Sequence, residues 1–500
     1  MTESYDVAII GAGVVGASIA RRLSAYRIDT ALLEKACDVS FGVSKANSRI
    51  VHGGFHHPAS MLKARLEVRG NRMYDELQRQ LHFAFRRCGI LVAALSQEEM
   101  RIVERLYEQG VKNDSIGIEL CSRSRMLALE PKLNSDVVGG LHAPIGGIVE
   151  PYRFVFSLVE SAIKNGVVLH TNFEVDGYER RGRWFRVFSG ERSIRARWIV
   201  NAAGLNADRI SELFDAESYR ISPRKGEEYL MDRNSVALPG RVIFPVPSSA
   251  SKGMLVIPTV EGTTMVGPTA ETAESKDDIS TTAENFERVF YSARRLVPSV
   301  SERDIITSFS GLRPTLAGDD FYIEVSKKQP HFVQVAGIQS PGLTAAPAIG
   351  EYVKDLMKRD GLELVESAHY DPTLEPLPRI RDSSYAEVDR LIGENPDYGE
   401  IVCRCEQVSK AEIVAAIKHG HTTLDGVKFY TRAQMGRCQG GFCTFKILKI
   451  IEAETGVPIH EITKRGGGSY ILTSSIGGDR AETAESDDRA VSIAKRGGAA

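Results

Sequence analysis

The chain has no apolar stretch of membrane-spanning length. The nearest approach, Val7 to Ala20, is broken by Gly11, Gly13 and Gly16, whereas a spanning helix needs about 20 consecutive, mainly apolar residues. Thr2 and Glu3 lead into an apolar run too short for the h-region of a secretory signal. Both absences point to a cytoplasmic protein, with any membrane association made through a partner. An excess of charge is missing too: 63 Lys and Arg stand against 65 Asp and Glu, a formal net charge of −2. That balance gives no sign of a nucleic-acid partner. Cysteine is sparse and unevenly placed. Cys37, Cys88 and Cys121 stand singly and read as ordinary thiols, while Cys403, Cys405, Cys438 and Cys443 crowd into one segment. In a cytosolic chain such crowding favours metal over disulfides. The 500 residues suffice for two to four domains with a large core.

What is present is concentrated at the start. An apolar run from Val7 to Ile10 stops at Gly11, and an Ala-rich segment from Val15 to Ala25 follows. A second apolar run, Thr30 to Leu33, ends on Glu34. Strand, Gly-rich turn, helix, strand and acid form the dinucleotide fingerprint in its required context. Gly11 permits the tight turn, Gly13 lacks the Cβ that would block a pyrophosphate, and Gly16 lets helix and strand pack closely. The free N–H groups at the helix start meet phosphate charge. Glu34 falls where a carboxylate accepts from ribose hydroxyls.

Further along, the polar stretch from Ser40 to Gly54 contains Ser44-Lys-Ala-Asn-Ser-Arg-Ile-Val-His-Gly-Gly54. Its two final glycines would allow backbone to lie against a flat ligand. Met61 to Gln80 and Gln97 to Gln109 have helical spacing, and Phe83 to Leu95 reads as strand. A helix over Tyr152 to Asn165 precedes strands at Val167 to His170, Trp184 to Phe188 and Ile194 to Val200. The last runs into Asn201-Ala-Ala-Gly204, a second turn of small residues. Tyr219 to Arg313 carries short strands, turns and one helix near Thr282 to Leu296, an antiparallel insertion into the α/β frame. The frame resumes with strand Phe332 to Ala336, the turn Gly337 to Thr344 and helix Ala345 to Lys358. Pro-rich, charged residues after Asp371 read as a linker. Helices at Lys410 to His419 and Phe445 to Thr455 flank the cysteines, and disorder is expected beyond Gly477.

Four marks together, GAGVVG with Glu34, SKANSRIVHGG, NAAGLNAD (Asn201 to Asp208) and GIQSPGLTAAPAIGE (Gly337 to Glu351), resemble the D-amino-acid-oxidase-type FAD oxidoreductases over about the first 360 residues. Within that superfamily NSRIVHGGFHHPASMLKARL is similar to L-2-hydroxyglutarate dehydrogenases. IPTVEGTTMVGPTAE (Ile257 to Glu271) resembles the large subunit of anaerobic glycerol-3-phosphate dehydrogenases. The resemblance implies a flavin that removes hydride from a C–H bond beside a hydroxyl or amine. It implies a Rossmann-type domain over 1–370, with an antiparallel α+β substrate subdomain mainly at 75–145 and 210–313. It carries cofactor binding to Lys45, Asn47, Ser48, Val175, Ala203, Gly204, Gly337, Gly342, Leu343 and Thr344, besides Gly11, Gly13, Gly16 and Glu34. Arg313, in Gly311-Leu-Arg-Pro314, matches an arginine that grips the substrate's carboxylate or phosphate, a task suited to its planar fork. Arg224-Lys-Gly-Glu227 is similar to a substrate-side RGEY-like segment, and Lys225 is the residue assigned there. His52 is the candidate base, since histidine titrates near neutrality, although a lone histidine also serves as a structural hydrogen-bonder. His56 and His57 replace tyrosines usual in the hydroxyglutarate enzymes.

The cysteines read Cys403-Arg-Cys405, thirty-two residues, then Cys438-Gln-Gly-Gly-Phe-Cys443. Zinc modules usually pair cysteines as C-x2-C, and spacings of one and four fit that poorly. Four thiolates around a [2Fe–2S] cluster fit better. The segment also resembles the bacterioferritin-associated-ferredoxin-like domain, giving a small, mainly α module at 399–456 after a 371–398 linker and before a 457–500 tail. Eight Lys and Arg against three Asp and Glu from Ile401 to Ile450 suit an anionic cluster. A two-electron flavin joined to a one-electron cluster implies export of electrons to a redox partner subunit, hence a dehydrogenase of a small anionic hydroxy compound. Glycerol 3-phosphate leads, L-2-hydroxyglutarate or another 2-hydroxy acid follows, and an amine is third. An electron-transfer subunit on a flavin scaffold is the reading from another class.

Overall fold

The computed structural model describes residues 3–248 and 253–473. Ser4–Ile10 forms the centre of the first sheet, with Val7, Ala8 and Ile9 fully buried. Such burial on both faces is what a continuous apolar run in a parallel sheet provides. Thr30–Leu33 and Arg192–Asn201 flank it in parallel, and Val168–His170 and Phe332–Ala336 extend the two sides. Gly177–Arg181 and Trp184–Ser189 add an antiparallel meander to Arg192–Asn201.

Helices Val14–Leu23, Leu62–Leu81, Pro151–Lys164 and Gly342–Arg359 share one core with this sheet. Glycines permit the tightest crossings. A Cβ on Gly350 would lie 2.7 Å from the Ser18 carbonyl oxygen, and one on Gly70 would lie 2.2 Å from that of Thr344. The expected pair Gly53-Gly54 serves packing as well: their Cβ positions face Ala143 and Val68 at 2.9 and 2.8 Å. The close approach expected there against a ligand is instead an approach against protein.

The second sheet is built from residues between Ile90 and Ala143 and between Ser222 and Thr315. It is antiparallel except where Val242–Pro245 runs parallel to Ile90–Ala94. The short strands expected here include two long ones, Ser222–Met231 and Ile305–Thr315, paired along almost their whole length. Helix Ala283–Leu296 packs Val289, Phe290 and Ala293 against one face.

The C-terminal module has its own core around Ile413, Val427, Ile447 and Leu448. Its helices are Lys410–Lys418, Leu424–Thr431 and Thr444–Thr455. A capping box between Ser409 and Glu412 starts the first. Residues 371–398 are not extended throughout: they contain helix Tyr385–Glu394, whose Ser384 side chain accepts from Glu387 N–H. The early tail joins the module through Ile462, which is buried in its core, and through the Leu424 and Asp425 N–H groups, which donate to the Thr463 and Lys464 carbonyl oxygens. The disorder expected beyond Gly477 lies outside the described residues. Among the described residues no helix is long and apolar enough to cross a membrane.

Candidate active site

A cleft of about 1320 Å³ runs between the two sheets and reaches the C-terminal module. Gly11 and Gly13 form its floor at the start of helix Val14–Leu23. Gly11 has φ +105°, and its missing Cβ would lie 2.6 Å from the Ala202 carbonyl oxygen. Gly16 lies beneath the floor, where a Cβ would stand 1.9 Å from the Gly11 carbonyl oxygen. Ser44 Oγ accepts from the Val14 N–H at 2.9 Å, tying the following loop to the helix start. Glu34 lines the cleft, and its carboxylate accepts from the Ala12 and Ala36 amides, both at 2.9 Å. Burial raises its pKa against those hydrogen bonds. Lys45, Asn47, Ser48, Val175, Ala203 and Gly204 also line the cleft.

At the far end Gly342 and Leu343 face the cleft, while Thr344 stands behind them. Thr344 Oγ1 accepts from the His52 N–H at 2.9 Å, so it holds the histidine's backbone. Gly337, with φ +70°, turns the chain beside Leu316 rather than into the cleft. The donor set fits FAD: a glycine floor at a helix N-terminus, a ribose-side carboxylate and a second glycine turn at the other end.

The substrate end lies on the long strand pair. Arg224 and Arg313 are direct cross-strand partners, and both line the cleft. Arg313 donates to the Thr269 carbonyl oxygen at 3.3 and 3.4 Å. Its guanidinium lies over Gly226, where a Cβ would meet Nη2 at 2.7 Å. Burial lowers its pKa, partly opposed by Glu228 and reinforced by Arg224. Glu228 accepts from Ser48 Oγ at 2.5 Å, and burial raises its pKa. Two cations on one rung repel, and an anion between them removes that penalty.

The assignment of Lys225 is corrected by strand parity. Successive side chains alternate faces, so Arg224, Gly226 and Glu228 face the cleft. Lys225 points to the opposite face, where Nζ donates to Asp278 at 2.8 Å. His52 lines the cleft, is 8% exposed, and has Nε2 3.3 Å from Ser340 Oγ. His56 and Phe244 stand near its ring, at 5.7 and 6.0 Å between centroids.

The four clustered cysteines meet as two pairs. Cys405 Sγ and Cys438 Sγ are 3.5 Å apart, and the Cys403 and Cys443 side chains hydrogen-bond to each other. The bond from Cys443 draws the Cys403 thiol down to about 6 against the opposing effect of burial. Among the described residues no three His, Cys, Asp or Glu side chains converge on one ion. Four cysteines gathered in this way suit a two-iron cluster better than a single tetrahedral ion, and Cys403, Cys405, Cys438 and Cys443 would hold it. Gly436 packs against Cys405, whose Cβ would be 2.3 Å from a Cβ there.

The module docks through a buried ionic network. Arg432 is 1% exposed and donates to Glu406 Oε2 at 3.0 Å, Glu261 Oε1 at 2.7 Å and the Tyr152 hydroxyl at 2.5 Å. Arg49, from the loop beside Ser48, donates to both Glu261 oxygens at 2.9 Å. Burial alone would raise Glu261, but Arg432 and Arg49 outweigh it and hold its carboxyl at about 2. A depressed folded-state value stabilises the protein above the usual carboxylate range, and that contribution is lost as pH falls towards 2. Glu261→Gln is expected to cost about 3–5 kcal/mol, since it leaves buried arginines short of a partner. The check is the denaturation midpoint at neutral pH, with the difference between wild type and variant shrinking in acid.

Comparison with known proteins follows the same division. Residues 6–356 match the FAD dependent oxidoreductase family, and residues 401–453 match the BFD-like [2Fe-2S] binding domain. The chain belongs to the FAD dependent oxidoreductase family and carries a C-terminal [2Fe–2S] domain; its cofactors are FAD and a [2Fe–2S] cluster. It is 40% identical over 471 residues to a glycerol 3-phosphate dehydrogenase of Caloramator mitchellensis, covering 94% of this chain and 98% of that protein. The FAD-bound L-alpha-glycerophosphate oxidase structure from Mycoplasma pneumoniae superposes with TM-score 0.72 at 29% identity, covering 76% of this chain and all of the other. The mitochondrial L-2-hydroxyglutarate dehydrogenase of Arabidopsis thaliana is 26% identical over 408 residues, 71% of this chain and 84% of that protein.

Sequence reasoning missed Arg224 as the cleft-facing residue and missed the part the module plays in the cleft wall. The first needs the register between Ser222–Met231 and Ile305–Thr315, which sets whether Arg224 or Lys225 shares a face with Arg313. Nothing local could have found the second, because Phe429 and Arg432 meet the cleft only after docking.

Proposed function

We propose that the protein oxidises sn-glycerol 3-phosphate to dihydroxyacetone phosphate and exports the electrons through its cluster to a partner. The observation that carries this reading is the Arg224–Arg313 pair in the cleft, with His52 also lining it. Two guanidinium groups side by side match a phosphate monoester, which presents several oxygens and up to two negative charges. Bound FAD supplies the acceptor for the hydrogen on the substrate's C2. His52 takes the proton from the C2 hydroxyl, and its backbone is fixed for this by Thr344 and by Asn71, whose Nδ2 donates to the His52 carbonyl oxygen at 2.6 Å. Buried Phe244 and half-buried Leu343 give this end of the cleft an apolar lining.

A dicarboxylate would also satisfy two arginines, and the hydroxyglutarate relative makes that the second reading. Anaerobic protein given glycerol 3-phosphate, L-2-hydroxyglutarate or an amino acid in separate cuvettes decides between them. Glycerol 3-phosphate should bleach the flavin absorbance. Bleaching by L-2-hydroxyglutarate alone would overturn the proposal. Arg313→Lys should keep the flavin and raise KM about ten- to over a hundredfold, because it gives up a bidentate charge-assisted grip worth roughly 1.5–3 kcal/mol. Unchanged kinetics with every anionic substrate would remove Arg313 from the site.

Electron export fits the extent of the relatives. The oxidase structure is used up on 76% of this chain, whereas the dehydrogenase match runs across 94%. Next to the partly exposed Cys405 and Cys438 in the chain stand the exposed residues Arg404 and Arg437, the latter paired with Asp232 at 2.8 Å, and Phe442 is exposed beside Cys443. An acceptor protein with an acidic rim suits that surface.

A further inference from the structure

Lys45, expected among the cofactor-binding residues, has cationic neighbours that the substrate chemistry does not use. Lys45, on the loop after Ser44, lines the cleft with its ammonium 4.7 Å from the centre of the Phe41 ring and 5.1 Å from that of Phe429. Phe429 and Lys428 belong to the C-terminal module and Arg465 to the tail segment that packs on it, and Lys428 and Arg465 also line the cleft. The neighbouring acid is Asp425, which pairs with Lys464 at 3.5 Å. Burial lowers Lys45 to about 8, with Arg465, Lys464 and Lys428 pushing the same way and Asp425 opposing. Burial and Lys464 lower Lys428 as well. Lys45 and Lys428 are half-buried and Arg465 is exposed; cations gathered in this way repel one another, and an anion held among them relieves that repulsion and, at the two lysines, the loss of hydration. The position says which anion. Ser44, the residue before Lys45, is bonded to the Val14 N–H at the start of the fingerprint helix, beside Gly13. That is where a dinucleotide presents its diphosphate.

We infer that Lys428 of the C-terminal module and Arg465 of the tail packed on it, with Lys45 facing them, bind the diphosphate of FAD, so that the module and its tail close the flavin site. The inference rests on FAD occupying this cleft and is independent of the substrate. The iron–sulfur module is then part of the cofactor's binding site as well as an electron carrier. A diphosphate held among three cations also gains a salt-dependent attraction that a neutral flavin lacks.

The test uses full-length protein carrying its cluster, freed of flavin and titrated separately with FAD and with riboflavin, which has no phosphate. Flavin fluorescence reads binding, and iron content reads the integrity of the module. Lys428→Gln combined with Arg465→Gln should weaken FAD about tenfold or more for each cation removed. Riboflavin binding and iron content should stay unchanged, and Lys428→Arg should retain FAD. Lys449→Gln, on an exposed part of the same module, should bind FAD as wild type does. Unchanged FAD affinity in the double variant, or equal weakening of FAD and riboflavin, would overturn the inference. Should the double variant lose iron, Lys45→Met decides, because it lies outside the module and keeps an apolar chain between the two rings. It should weaken FAD and spare riboflavin, and equal affinity for FAD in wild type and K45M refutes the assignment. No substrate enters these measurements, so their failure leaves the glycerol 3-phosphate reading standing, and the reverse holds.

Discussion

Cys405→Ser removes or severely perturbs the cluster while FAD stays bound. Cys405 is partly exposed, so serine opens no cavity, and the module keeps its own core of Ile413, Ile447 and Leu448. Its Sγ stands 3.5 Å from that of Cys438, and a serine oxygen is a poor substitute for the thiolate of that pair. Substrate should still bleach the flavin in a single turnover. Steady turnover with the natural acceptor should collapse for want of an electron exit, and dyes that draw electrons directly from the flavin should partly restore it. Iron and acid-labile sulfide analysis beside the visible spectrum of anaerobically purified protein is the measurement. Stoichiometric zinc without iron would reverse the reading of the whole segment.

His52→Asn should lower kcat by about 10²–10⁴, the usual weight of a positioned general base. Asparagine keeps the backbone bonds to Thr344 and Asn71, so the loop and the bound flavin should persist. KM for the anion should change little, because Arg224 and Arg313 are untouched. An unchanged kcat would make His52 a structural partner of Ser340, 3.3 Å from its Nε2.

How far the sequence could be read depended on the range of the forces involved. Gly11, Gly16 and the strands beside them are dictated locally, by φ and by a missing Cβ, and were legible without a structure. The helix Ala283–Leu296 and the strand Phe332–Ala336 were legible for the same reason, through their periodicity. Lys225 was not, because a choice between neighbours depends on which face of Ser222–Met231 is turned to the cleft. Ser384 with Glu387 was a usable start signal inside an apparent linker, masked by nearby prolines. Helix Leu424–Thr431 was missed, since Gly426 interrupts its pattern and its burial comes partly from the flavin domain. The cysteine spacing pointed to iron, but the grouping into two pairs required three dimensions.

Arg432 has a consequence for the heredity of the fold. By sequence it belongs to the iron–sulfur module, yet two of its three hydrogen bonds are made with Glu261 and Tyr152 of the other domains. A module grafted by gene fusion onto a different flavoprotein would bring a buried guanidinium and leave those acceptors behind. The recipient would have to supply matching groups at distant places in its own chain. Arg432, Glu261 and Tyr152 therefore form a unit of inheritance, and what looks in the sequence like an interchangeable cassette is bound to its host.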